Sequence, residues 1–188
     1  MSTSFLYHLC AADFRGTELY PLKRLAEVHP DLYERERAKF VGREPVLTYR
    51  LPILDVAWAD TVNLSTLDPR KLVAARRGLG VPFSRLLERR LARIPVERIG
   101  DLPAVRYAST THWINSLPGV AASLEPPVSD FTRFDAASHV EEPKVPVAHL
   151  EYLVQQRDRC ALALGFVFVP HVLVASPIDL AGLELLDL

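Results

Sequence analysis

Cysteine is scarce. Cys10 and Cys160 are the only two in 188 residues and no CxxC spacing occurs, so neither a disulfide framework nor a thiolate zinc site is expected, and the expected compartment is a reducing cytoplasm. Long apolar runs are missing as well. The most apolar stretch, 160–174, is broken by Pro170 and His171 and falls short of the ~20 residues that a spanning helix needs. The opening MSTSFLYHLC lacks the basic and apolar pattern of an export signal, so no membrane partner is expected. Neither sign of charge dominates: 22 basic against 23 acidic side chains leave a net −1, which excludes a globally basic nucleic-acid coat protein. There is no glycine-rich phosphate loop, no GxGxxG, no GxSxG and no HExxH, which argues against a P-loop ATPase, a Rossmann dehydrogenase and an α/β-hydrolase. The six histidines, at 8, 29, 112, 139, 149 and 171, are scattered without ligand-like spacing, so no metal is expected.

What is present suits one globular domain spanning 1–188. With 49% hydrophobic and 24% charged residues, a chain of this length buries roughly 70% of its unfolded surface on folding. Residues 4–9 are short, aromatic and apolar and read as a first strand. From Pro21 the spacing turns helical, His29-Pro30 interrupts it, and a second helix carries Leu32, Tyr33 and Phe40 on one face up to Gly42. Residues 46–51 are β-prone, and Val62-Asn63-Leu64-Ser65 alternates like a half-buried strand. Asp68-Pro69 reads as a helix start, because the aspartate oxygen caps an orphan amide and proline has no amide to strand.

Between 68 and 98 there is an excess of six positive charges, leaving −7 elsewhere. The pattern predicts a basic helical hairpin whose second helix covers 84–93, with Arg76, Arg77, Arg89, Arg90 and Arg93 on a solvated face or against a phosphate-rich partner. A strand at 104–109 precedes a long irregular region, 116–146, with five prolines and the acids Glu125, Asp130, Asp135, Glu141 and Glu142. A proline-rich acidic loop of that length suggests a lid or binding loop. Strand-like segments follow at 147–154, 161–169, 172–175 and 183–188. The expected class is α+β: a mixed or antiparallel sheet formed by N- and C-terminal strands, with a helical middle over 21–93.

Three stretches carry a resemblance. Leu6-Tyr7-His8-Leu9, then Thr61 to Ser65 followed by Asp68, and later Leu150-Glu151-Tyr152-Leu153-Val154, in that order, resemble the first-strand histidine, second-strand polar position and late-strand glutamate of the ADP-ribosyltransferase-like fold. The resemblance covers about a tenth of the chain by the span of these three segments. It implies that NAD is cleaved at its nicotinamide–ribose bond through an oxocarbenium-like transition state. His8 would donate a hydrogen bond to orient the ribose, and Glu151 would stabilise the cation or take the acceptor's proton. Tyr7 or Tyr49 would stack on nicotinamide, Ser65 would face the cofactor, and an arginine would meet the pyrophosphate. His149 stands where arginine-directed transferases carry a second glutamate, so the acceptor, nucleic acid or protein, is left open. Such an enzyme would be toxin-like and cytoplasmic.

Two other classes stand beside it. One is a non-catalytic adaptor or immunity-type protein using the basic hairpin and acidic loop as complementary surfaces. The other is a small hydrolase around His112 or His139. The plain structural readings are a half-buried His8, a solvent-facing Glu151, core tryptophans at 58 and 113, and Cys10 as a small buried hydrophobe rather than a thiolate paired with His8.

Overall fold

The computed structural model describes residues 4–81, 89–109, 126–161 and 163–188. Its frame is a seven-stranded sheet. In chain order the strands are β1 (Phe5–Ala11), β3 (Val62–Ser65), β4 (Arg89–Pro95), β5 (Ala104–Tyr107), β6 (Phe131–Arg133), β7 (His171–Val174) and β9 (Leu185–Asp187), while β2 (Glu18–Leu19) and β8 (Ile178–Asp179) form a separate pair. The spatial order is β6-β5-β7-β3-β1-β4-β9, and every neighbouring pair is antiparallel. The class is therefore α+β with an antiparallel sheet. Both edge strands have only three residues, which limits the unpaired ladder they offer.

Register sorts the side chains onto two faces. Leu6, Cys10, Val62, Leu64, Ala92, Ile94, Val172 and Val174 point to one face, where Leu19, Val96, Ile99, Ile178 and Leu180 cover them. The β2–β8 pair thus caps the main core. On the opposite face, one end of the sheet carries Val105, Tyr107 and Leu173 under Val46, Leu51, Trp58 and Phe131. Trp58 meets Tyr107 edge-on with ring centroids 5.4 Å apart, so Trp58 is core as expected.

The helices are α1 (Leu22–Val28), α2 (Pro30–Arg37), α3 (Pro45–Thr48), α4 (Pro69–Gly78) and α5 (Val147–Asp158). Pro30 separates α1 from α2, as its fixed φ and missing amide require. Asp68 caps α4: its Oδ1 accepts from the Arg70 amide at 2.9 Å, with Pro69 at the first helical position. The first two helices pack chiefly on each other, α1 also on the 3-10 turn Trp58–Asp60 and α2 on the 3-10 turn Ala38–Phe40, more than on the strands. No residue of α2 is buried.

Several sequence expectations give way here. Residues 46–51 begin with the short helix α3, which Pro45 starts and buried Val46 anchors, and do not form a strand of the sheet. The middle of the chain is helical only in part, since β3 and β4 run through the centre of the sheet. The second helix of the basic hairpin does not form over 89–93: these residues pair along β1, Ala11↔Arg89 through Tyr7↔Arg93. Leu91 and Ala92 are both buried because the sheet is covered on both sides, and two-sided burial hides the alternation that marks a strand. Residues 82–88 lie outside the described residues.

Residues 147–154 belong to helix α5. The buried positions His149, Tyr152, Leu153 and Gln156 have the helical spacing, whereas Val147 and Glu151 are exposed. The described part of 161–169 makes turns rather than a strand: Cys160 and Phe168 take left-handed φ of 51° and 58°, and the Val169 amide donates to the Phe166 carbonyl. The acidic region is described only from 126, where it supplies β6 and then a segment fastened to the sheet. Its earlier part, His112 and Trp113 included, lies outside the described residues.

Leu173 is wholly buried in β7. Leu173→Ala is expected to lower the unfolding free energy by about 2–5 kcal/mol through lost burial and a residual cavity. Asp68→Ala is expected to cost about 1 kcal/mol through loss of the cap. Urea midpoints at unchanged slope are the measurement, and a Leu173→Ala midpoint equal to that of the native chain would contradict the core described.

Candidate functional site

The pairing of β1 is lopsided. It runs the whole strand along β4 but meets β3 at one registered pair, Tyr7↔Ser65. Beyond that pair β1 and β3 separate, and the His8 ring bridges them: its Nδ1 lies 2.9 Å from the Asn63 carbonyl oxygen. A carbonyl only accepts, so Nδ1 carries the proton and Nε2 of the neutral ring is left as an acceptor. Burial is the main influence on His8 and pulls its pKa below the ordinary histidine value. His8 is therefore an acceptor toward any ligand, not the donor expected from sequence.

A cleft of about 1560 Å³ opens at this separation. Its floor is β1 and β3, its walls are α1, α2 and residues 163–169, and apolar Leu22, Val28 and Leu32 line it because their helices stand off the strands. Six Lys or Arg and four Asp or Glu line it among the described residues. Glu36 sits between two cations: Arg89 Nη1 donates to it at 3.1 Å, and Lys39 donates through Nζ. Burial works against its ionisation, but Lys39 and Arg89 outweigh burial and hold the carboxyl below its usual range. Lys39, Glu36 and Arg89 all act electrostatically on His8. On the far wall Arg76 is buried and donates to the carbonyls of Ala163 at 2.8 Å and Leu164 at 3.2 Å, bracing the loop that ends at His171.

Three of the five residues expected from sequence line this cleft: Tyr7, His8 and Ser65. Tyr7 Oη donates to Glu141 at 2.6 Å; burial, and then that carboxylate, raises its pKa far above the ordinary value, so it stays a neutral phenol. Ser65 Oγ donates to the Leu67 carbonyl at 2.8 Å and accepts the Leu67 amide at 3.1 Å. Its hydroxyl closes the turn into α4 rather than reaching outward to a cofactor. Tyr49 does not line the cleft; it stacks on Phe131 and its hydroxyl donates to the Pro126 carbonyl.

Glu151 does not line it either. It occupies the exposed side of α5, because the buried helical positions turn the other side inward, and a solvent-facing carboxylate there does not meet His8. The sequence reading missed Glu36, Asn63 and His171, all of which line the cleft. The signal available for His171 was a histidine at the head of an apolar strand, after Pro170.

Cys10 is buried in the core, and burial pushes its thiol up to about 12, so it behaves as a small hydrophobe. Among the described residues no group of three or more His, Cys, Asp and Glu is gathered closely enough to hold a metal ion. No helix among them is long and apolar enough to cross a membrane. No protein-family model matches the chain, and no curated protein or solved structure matches it.

His149 titrates apart from the cleft. It is wholly buried, Nδ1 donates to the Val167 carbonyl at 2.7 Å, and burial pushes its pKa down to about 4. The unfolded chain, with an ordinary histidine near 6.5, takes up this proton first as pH falls. Its contribution to stability is full above about pH 6.5 and is lost progressively toward pH 4, by roughly 3 kcal/mol at ~1.4 kcal/mol per unit. Urea midpoints between pH 7 and 4.5 are expected to fall, and His149→Gln is expected to flatten that slope; an unchanged slope would contradict the assignment.

Proposed function

We propose that the cleft binds NAD and that the chain transfers its ADP-ribosyl group to a macromolecular acceptor, nucleic acid or protein. The observation that carries this reading is that His8 lines the cleft beside the Glu36–Lys39–Arg89 cluster, with Tyr7 and Ser65 lining it from the other face of the parted strands. The volume exceeds the roughly 300–1,000 Å³ of ordinary small-molecule sites and leaves room for a dinucleotide with part of an acceptor. Excess positive charge suits a pyrophosphate, and the apolar wall suits rings.

In this reading Nε2 of His8 accepts from a ribose hydroxyl, which fixes the sugar. Arg89 and Lys39 turn to the pyrophosphate. The Glu36 carboxylate they release then faces the positive charge that develops on the ribose as the bond from C1′ to nicotinamide breaks and its electron pair leaves with nicotinamide. An acceptor nucleophile bonds to C1′ and releases its proton to solvent. Glu36 replaces Glu151 as the carboxylate of the site.

The alternative, an interaction protein using a basic hairpin and an acidic loop, loses support because four of the five arginines named for it are engaged within the molecule, the fifth being the exposed Arg77. Arg76 holds two loop carbonyls, Arg89 holds Glu36, Arg90 donates to the Leu185 carbonyl, and Arg93 lies 3.5 Å from the Phe5 ring centre.

Nicotinamide release from NAD is the test. His8→Ala and Glu36→Gln are each expected to slow it by about 100-fold or more, and Glu151→Gln to leave it within about twofold, the surface-substitution expectation. Loss of release on Glu151→Gln, or no release and no NAD binding by the native chain, would overturn the proposal.

A further inference from the structure

The register of the central strands sets out a row across the sheet. Tyr7 of β1 pairs with Ser65 of β3, Ser65 with His171 of β7, and His171 with Tyr107 of β5. Residues in such a row share one face and stand ~5 Å apart. All four line the cleft. Of this row, the function proposed above leaves Tyr107 and His171 unused, and His171 is the one with part of its surface exposed.

Its position is tightly determined. The Thr66 amide and hydroxyl both donate to the Pro170 carbonyl, at 3.1 and 3.0 Å, which fixes the chain one residue before it. Phe166 comes back over the imidazole through the turn at Phe168, with ring centroids 5.7 Å apart and planes at 69°. Both Phe166 and His171 keep part of their surface exposed, so the pair is reachable. The imidazole donates to the Val169 backbone, so its other nitrogen is an acceptor while the ring is neutral. Burial pushes its pKa down to about 4, so it is neutral near pH 7.

A rigid, neutral acceptor beside an aromatic ring matches a definite chemical class. We propose that His171, with Phe166 beside it, forms a site for a planar heteroaromatic ring bearing an N–H donor, the exocyclic amine of adenine or the carboxamide of nicotinamide. This rests on the reading of the cleft as a nucleotide site and adds the group that recognises the ring. Phe166 supplies an apolar surface along the ring, and the second imidazole nitrogen accepts from the N–H group. A ring without that N–H leaves a desolvated acceptor unpaired, which is how a hydrogen-bonding site discriminates.

Two ligand pairs that differ in the N–H group distinguish the sources. One is AMP against purine riboside 5′-monophosphate; the other is nicotinamide mononucleotide against its 3-acetylpyridine analogue, which lacks the N–H group and keeps the charge. Calorimetric titration of the native chain is expected to favour the N–H-bearing member of one pair by about 10-fold, and the pair that shows the preference names the ring. His171→Ala and His171→Phe, the second of which keeps the bulk beside Phe166, are each expected to abolish the preference while leaving the weaker member's affinity within about twofold. Preference retained in both variants, or nucleotide binding by the native chain without preference in either pair, would overturn the ring site and leave the nucleotide cleft standing. Absence of nucleotide binding altogether would overturn the cleft reading and the ring site with it.

Discussion

The hydrogen bond from His8 Nδ1 to the Asn63 carbonyl is the hinge of the structure. An antiparallel ladder that continued past Tyr7↔Ser65 would satisfy that carbonyl with a backbone amide and close β1 against β3. Here a side chain takes over the ladder's task, and the strands separate around it. A buried carbonyl without a partner costs on the order of 1–3 kcal/mol, so the opening depends on the imidazole. That same bond sets the tautomer and makes Nε2 an acceptor, while burial, with Lys39 and Arg89, outweighs the bond's upward pull and favours the neutral ring. Fold, cleft and chemistry meet in one residue.

The rest of the molecule holds the separation in place from both ends. On the Tyr7 side, the segment before α5 is fastened across the strand: Glu141 accepts from the Phe5 amide at 3.0 Å and from Tyr7, while the Glu142 amide donates to the Thr66 carbonyl and its carboxylate receives Arg106. On the open side the tether is ionic. Arg35 donates twice to Asp13, and Glu36 bridges to Arg89, so α2 stays over the cleft although it buries nothing. Exposed ion pairs of this kind contribute only ~0–1 kcal/mol each. The wall formed by α2 is thus the least firmly held side of the site, and the β1–β3 floor is the most firmly held.

Local signals read well where one physical cause acts alone. Pro30 ending a helix, Asp68 and Pro69 starting one, and the alternation of Val62 to Ser65 each follow from backbone sterics or one-sided burial, and the fold has them where expected. The failures share a cause in tertiary covering. Residues 89–95 lost their strand signature because both faces of β4 are shielded, and Leu150 to Val154 resembles a strand only until helical burial at His149, Leu153 and Gln156 is seen. The site divides the same way. Tyr7, His8 and Ser65 lie within β1 and β3, two strands that local pattern marks, so their placement on the central strands was legible. Glu36 and His171 come to the cleft from a solvent-exposed helix and from a strand more than a hundred residues away, and only the register Ser65↔His171 reveals the second.

The state of His8 in solution tests this account most directly. Nitrogen-15 resonances of the histidine rings, assigned with His8→Gln and recorded at pH 7 with and without saturating NAD, report which nitrogen is protonated and whether the other one meets the ligand. The account predicts a neutral ring protonated at Nδ1, with the Nε2 resonance moving on addition of NAD while Nδ1 holds its shift. A ring protonated at Nε2, or a His8 spectrum unchanged by saturating NAD, would contradict it.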